Sequence, residues 1–370
     1  MYDIEFYMKS YEFMNRSATG CFGDKQAAAA TLESYRNRDP IVYNIETTNA
    51  CNMRCKMCPR TTMMTRSVAT MNKDLFCSIV GQLKPFSSEL WRTWEQFVVD
   101  QYGVLPGDAS ENHFFLYIIP KVIQLHGYGD PLLDLNMPAY VKLLASRGLQ
   151  SYFSCNPANI DIDKTVQMFE NGLNYIKYSI ESVDDTKHKE IRGEASDFSE
   201  SYRKICQLLD MKRARNFHTV IVITMLNLNR RDQAEEFRKL RTAFSGKDVY
   251  IYLKSEDQQW YRKDYHGTQS IHWSECCKHP WMSMTIKSNG EACMCMEDFN
   301  NEIVLGDATR EHLSDIWNGA KYQKFRHDHI VCTPGLKCAE QCDMRLIGES
   351  LDRTPTVVTT PKQRDDKQAG

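Results

Sequence analysis

Two rhythms of apolar and polar positions alternate along most of this chain. Short runs rich in β-branched and aromatic residues occupy positions 41–45, 121–125, 149–154, 175–180, 219–224 and 249–253, and each reads as a strand. Between them, positions 72–83, 137–146, 162–171, 199–213 and 232–244 repeat their apolar residues at helical spacing. Strand and helix in strict alternation predict an α/β fold with a parallel sheet. Six strands are too few to close an eight-stranded barrel, so a partial (β/α)6 barrel over 41–254 is expected, with its site at the C-terminal strand ends. Positions 1–40 read as a helical lead-in, Ala-rich between 25 and 35. Positions 84–115 exceed an ordinary connection and are expected to form an inserted lobe or lid. From 255 the rhythm breaks into short β-like runs, glycines and cysteines, which predicts a small Cys-rich α+β domain over 255–346; the polar stretch 347–370 is expected to be a disordered tail.

Charge changes little in this picture. The net charge is −2, which supplies no basic excess for nucleic acid. No run of 18 apolar residues is present to span a membrane, and the acidic residues among the first twelve do not suit a secretory signal, so the expected location is the cytoplasm.

Cysteine changes it a great deal. Fourteen thiols in a chain expected to stay in a reducing compartment argue for metal rather than disulfides. Cys51, Cys55 and Cys58 stand in a C-x3-C-x2-C loop directly after the first strand. A 4Fe–4S cube usually takes four cysteines. Three leave one iron open to chelate a small molecule, for which the amino and carboxylate groups of S-adenosylmethionine (SAM) are suited. A zinc site would want a fourth Cys or His nearby, and none lies there.

This loop resembles the signature of the radical S-adenosylmethionine superfamily, with Met57 in its apolar position before the last cysteine. The resemblance spans about 41–253 and implies roles at later strand ends. His126-Gly127-Tyr128-Gly129-Asp130-Pro131 is similar to the family's Gly-Gly-Glu-Pro stretch, which binds the methionine amino group; Tyr128 and Asp130 depart from its commonest form. Ser154 and Asn156, then Ser179 and Glu181, match places where the family binds the methionine carboxylate and ribose hydroxyls. Arg192-Gly193 looks like the family's Arg-Gly, with Arg192 pairing with the carboxylate. Any of these residues taken singly also reads as a turn glycine or a polar strand end.

The second cysteine group resembles the SPASM or twitch extension of the same superfamily. It comprises Cys277, the 287–295 hairpin with Gly290, Gly306-Asp307, Ile316-Trp317, and Cys332, Cys338 and Cys342. Where the full pattern places a cysteine before Cys332, this chain has His329, and no cysteine follows Cys342. The resemblance therefore implies one auxiliary 4Fe–4S cluster, on Cys277, Cys295, Cys338 and Cys342, with Cys332 the competing ligand and Cys276 and Cys293 less suited. Closed by four thiolates, it would conduct electrons rather than bind substrate. Cys21, Cys77, Cys155 and Cys206 are scattered and read as buried structural thiols.

The implied activity is reductive cleavage of SAM, with hydrogen abstraction from a substrate and reduction by flavodoxin or ferredoxin. A single auxiliary cluster resembles the arrangement in aminocyclitol dehydrogenases of the family, so a small polar or carbohydrate-like substrate is expected. Maturation of a ribosomal peptide is the alternative, although only 40 residues precede the first strand where peptide-modifying relatives carry a leader-binding domain. A metal-binding module without catalysis is the third reading. His126, Tyr128, Glu256 and Trp260 are candidates for the substrate side, and the insertion and the C-terminal region for shielding the barrel mouth.

Overall fold

The computed structural model describes residues 1–16, 22–108, 110–254 and 277–340. Cys21, Glu256, Trp260, Cys276, Cys342 and the expected tail lie outside them. Six parallel strands form in the predicted places: β1 (Val42–Ile45), β2 (Val122–Gln124), β3 (Gln150–Cys155), β4 (Tyr175–Ser179), β5 (Val220–Leu226) and β6 (Tyr250–Lys254). Their spatial order follows the chain, as right-handed crossovers through intervening helices produce.

The helices start where side chains can cap them. Asn72 accepts from Asp74 N, Asp161 from Lys164 N, Asp184 from Lys187 N and Asp197 from Glu200 N. Alternate strand residues then divide between two cores. Ile123, Phe153, Ile176, Ile221 and Ile223 face the helices, whereas Val122, Tyr152, Val222 and Tyr252 face inward.

The C-terminal region does not build a sheet of its own. Strand β7 (Met284–Ile286) pairs parallel with β1, and β8 (Glu291–Cys293) and β9 (Val304–Asp307) continue antiparallel from it, giving one nine-stranded sheet. The change of rhythm at 255 thus marks a change of connection, from crossover to hairpin. Gly290 turns the first hairpin at φ +90°, and a Cβ there would also stand 2.5 Å from Thr309.

The insertion is found at the opposite end of the barrel from a lid. It contains helix Ser88–Tyr102, capped by Ser87 and ended by left-handed Gly103. It packs with helix Ile4–Arg16 across the N-terminal ends of the strands. Tyr2 N donates to Pro120 O just before β2, Asp3 N donates to Met282 O just before β7, and Tyr250 at the start of β6 donates to Ser110 O. Trp94 is fully buried, donates to Leu116 O at 2.7 Å and meets Tyr7 edge-on at 5.2 Å. Aromatic residues give this segment its own core, which is why it closes the floor of the barrel rather than covering the mouth. Among the described residues no helix is long and apolar enough to cross a membrane.

Candidate active site and auxiliary centre

At the mouth, β1 runs into the loop bearing Cys51, Cys55 and Cys58. Its backbone is stitched to the end of helix Asp185–Arg192, with Arg54 N on Arg192 O at 3.0 Å and Lys56 N on Ile191 O at 2.9 Å. Cys55 is buried, and Cys51 and Cys58 are half-buried. Burial pushes the Cys51 thiol up and the Cys58 thiol up to about 11. Two donors already point at these sulfurs: Met53 N at 3.4 Å from Cys51 Sγ, and Arg192 Nη1 at 3.7 Å from Cys55 Sγ. Three thiols on one loop, served by N–H donors, suit a thiolate-bound cluster, because hydrogen bonds to the sulfurs stabilise the charge that ligation exposes.

The β2 loop lies against this one because two of its residues lack side chains. A Cβ on Gly129 would stand 2.2 Å from Thr48 O and 2.7 Å from Ala50 O, and one on Gly127 would stand 2.3 Å from Glu46 Oε2. Asp130 is buried and fully used by the protein. It accepts from Leu132 N at 3.0 Å, Asn156 N at 3.0 Å and Asn159 Nδ2 at 2.9 Å, while its own N–H donates to Ala50 O at 2.8 Å. Burial raises its pKa. The acidic position thus fastens the ends of β1, β2 and β3 together.

The ends of β3 and β4 are joined by a buried relay that was not apparent from sequence. Asn156 donates to Ser196 Oγ at 2.9 Å, Ser196 Oγ lies 2.9 Å from His188 Nε2, and His188 Nδ1 accepts from Glu181 N at 3.3 Å. Burial, then the nearby Arg192 charge, lowers the His188 pKa to about 4 and keeps it neutral. Glu181 is fully buried, paired with Arg192 and accepting from Leu226 N at 3.0 Å. Ser154 and Ser179 stand half-buried at the ends of β3 and β4. Met57, Ile191 and Leu228 line a cavity of about 480 Å³ beside the cysteine loop. The predicted SAM-site residues of three successive strand ends, β2 to β4, and of this loop therefore meet at one mouth.

A second group of thiols flanks β7 and β8. Cys293, Cys295 and Cys338 are buried, and Cys277 and Cys332 half-buried. Cys277 and Cys295 share the local geometry of Cys51: each sulfur faces the N–H two residues on, His279 N at 3.4 Å and Glu297 N at 3.5 Å. Cys338 Sγ lies 3.4 Å from His329 Nδ1. Cys332 instead ends helix Ala320–Val331 with left-handed backbone, its sulfur 3.6 Å from Ile330 O. Burial pushes Cys293 up to about 12. Among the described residues no three His, Cys, Asp or Glu side chains converge on one point as a single ion requires. Cys77, by contrast with the expectation of burial, is exposed; Phe76, Ile79 and Val80 take the inward face of its helix.

Residues 45–241 match the Radical SAM superfamily, and residues 276–343 match SPASM, an iron–sulfur cluster-binding domain. The chain belongs to the radical SAM superfamily. Membership with a SPASM domain means a SAM-binding 4Fe–4S cluster and an auxiliary cluster. This radical SAM chain is also similar, at 38% identity over 52 residues, to the S-adenosyl-L-methionine-dependent 2-deoxy-scyllo-inosamine dehydrogenase of Niallia circulans. That match covers 12% of this chain and 21% of the relative, so it spans about a fifth of the curated protein's length. Among solved structures, BtrN in complex with AdoMet and 2-DOIA is similar at TM-score 0.46 and 15% identity, over 82% of this chain and 94% of that one. Streptococcus suis SuiB bound to S-adenosylmethionine is similar at TM-score 0.49 and 13% identity, over 87% and 78%.

Proposed function

We propose that this radical SAM enzyme oxidises or rearranges a small polar, carbohydrate-like molecule on the concave face of its sheet; for an oxidation, the auxiliary cluster would be the acceptor of the substrate's second electron. When bound, the first cluster and SAM supply a 5′-deoxyadenosyl radical that removes hydrogen from carbon. Cys51, Cys55 and Cys58 would hold that cluster, and Met57, Ile191 and Leu228 would wall the nucleoside. Cys277, Cys295 and Cys338, together with Cys342 outside the described residues, would hold the auxiliary one.

One observation supports the substrate class. Gln124 Nε2, His126 Nδ1 and Tyr252 OH are buried on or just above the inward face and have no hydrogen-bond partner among the described residues. Buried polar groups are ordinarily satisfied, so such a set suits a ligand carrying several hydroxyl or amino groups. Burial, then Lys177 and Lys254, lower the His126 pKa to about 3, so its ring is a neutral acceptor for a substrate hydroxyl. The short match to an inosamine dehydrogenase points the same way. Exposed Arg54 and Lys56, between the cluster cysteines, suit an acidic reductant of the flavodoxin or ferredoxin class, and a cytoplasmic reaction goes with that reading.

The test is anaerobic incubation of reconstituted enzyme with SAM, dithionite and perdeuterated cyclitols, aminocyclitols or sugars, followed by mass spectrometry of 5′-deoxyadenosine. Deuterium in the nucleoside with one member of the panel, lost in His126→Phe, is expected. Deuterium transfer from peptides alone would overturn this reading in favour of peptide maturation.

A further inference from the structure

His329 stands where the SPASM pattern places a cysteine, and it is completely buried between Trp281 and Phe325, each with its ring centroid 5.9 Å away. Its two nitrogens have different partners. Nε2 lies 2.8 Å from the backbone N of Cys277, and Nδ1 lies 3.4 Å from Cys338 Sγ. A backbone N–H can only donate, so Nε2 must be the acceptor and carry no proton. In a neutral imidazole the proton then resides on Nδ1, the nitrogen that faces sulfur. A nitrogen bearing a proton cannot ligate iron, and the other nitrogen has its lone pair engaged.

We propose that His329 is not a substitute ligand but a fixed N–H donor to the Cys338 sulfur, setting the potential of the auxiliary cluster. The inference rests on the reading that Cys277 and Cys338 ligate that cluster. A thiolate is acceptor-only, so on ligation Cys338 strengthens the bond that Nδ1–H already points toward it. Hydrogen bonds to cluster sulfurs stabilise the reduced, more negative state and so raise the potential. His329 and Cys338 are both buried, and a hydrogen bond is stronger in such surroundings than in water. The backbone of Cys277 orients the donor, so one ligand residue fixes the tautomer that serves another, 61 positions away in sequence. A cysteine replaced by histidine in this way removes a ligand from the fuller pattern and gives the remaining cluster a tuning group.

The experiment uses the full chain carrying Cys51/Cys55/Cys58→Ala, so that only the auxiliary centre contributes iron. After anaerobic reconstitution this protein should hold about four irons. His329→Phe, which preserves the aromatic cage, is expected to keep that iron and to shift the midpoint potential to a more negative value. It should also lose an exchangeable-proton coupling in the electron–nuclear double resonance spectrum of the reduced cluster. His329→Gln, whose amide offers an N–H, should recover part of the shift. Loss of the iron in both variants, with secondary structure retained, would make His329 a ligand and overturn the proposal. Full iron with an unchanged potential and an unchanged proton spectrum would overturn it as well. A parent protein that binds no iron, or a Cys338→Ala variant indistinguishable from it, would instead sink the ligand reading on which the proposal stands.

Discussion

Arg66 holds Glu46 through two parallel hydrogen bonds of 2.8 Å, and both side chains are buried. Glu46, one residue past β1, also accepts from Tyr128 N at 3.1 Å and from Ser288 Oγ at 3.0 Å. One carboxylate thus joins the SAM-side loop to the turn of the auxiliary hairpin. Burial opposes its ionisation, but the Arg66 bonds and the Lys287 charge overcome that and hold its pKa below 4.5. A carboxyl with a lowered folded-state pKa contributes stability above its unfolded value, and that contribution is lost as pH falls through the folded one. Glu46→Gln should therefore flatten the acid limb of stability against pH, and at neutral pH it should cost about 3–5 kcal/mol by stranding the Arg66 charge. Denaturant unfolding of wild type and variant across the acid range measures both effects.

The same carboxylate explains a glycine. Gly127→Ala would drive a methyl to within 2.3 Å of Glu46 Oε2 and 2.6 Å of its Cγ. The expected result is displacement of the β2 loop, with SAM affinity falling by more than tenfold while the auxiliary iron is retained. Equilibrium binding of SAM to the reconstituted variant, alongside its iron content, tests this.

Tyr128 reaches across the mouth in the other direction. Its hydroxyl lies 3.2 Å from Glu297 Oε2, and Glu297 N faces the Cys295 sulfur at 3.5 Å. Tyr128→Phe should keep both clusters and lower the unfolding free energy by about 1 kcal/mol, the net worth of one hydrogen bond. Thermal unfolding of the reconstituted protein is the measurement, and a loss of iron would contradict it.

The floor should be separable from the chemistry. Trp94→Ala removes a fully buried indole and its bond to Leu116 O, and a cost of about 3–5 kcal/mol is expected. Iron content and 5′-deoxyadenosine formation at low temperature should stay near wild type, because every predicted SAM-site residue lies at the other end of the strands.

At the mouth itself, Cys51/Cys55/Cys58→Ala should halve the iron from about eight to about four per chain and abolish SAM cleavage. Iron retention near the wild-type value would show that the thiols of this loop hold no cluster.

Much of this architecture is legible in the sequence, and the limits are physical. The six parallel strands and their helices follow from short-range periodicity, and the C-x3-C-x2-C loop from spacing. Strand pairing leaves no such trace: three-residue β7 shows nothing in sequence that selects β1 as its neighbour. His188 and Ser196 are single polar residues outside any motif, and only burial in a common relay with Asn156 gives them meaning. Glu46 stands next to a strong motif without belonging to it. Length reveals that 84–115 is an extra lobe, whereas the side of the barrel it occupies is set by aromatic contacts with Tyr2, Tyr7 and Tyr11, which sequence spacing does not show.

Those contacts impose an order on biosynthesis. Asp3 is synthesised about 280 residues before its backbone partner, the carbonyl of Met282. At about 5–20 residues per second, the segment around Asp3 waits roughly a quarter of a minute to a minute for the edge that completes its seat. Meanwhile Phe6 is without Trp281, the ring on which it finally stacks. The apolar face of the first helix is therefore a nascent-chain liability: a natural target for chaperones during translation, and a surface that shortening the C-terminal region would leave exposed.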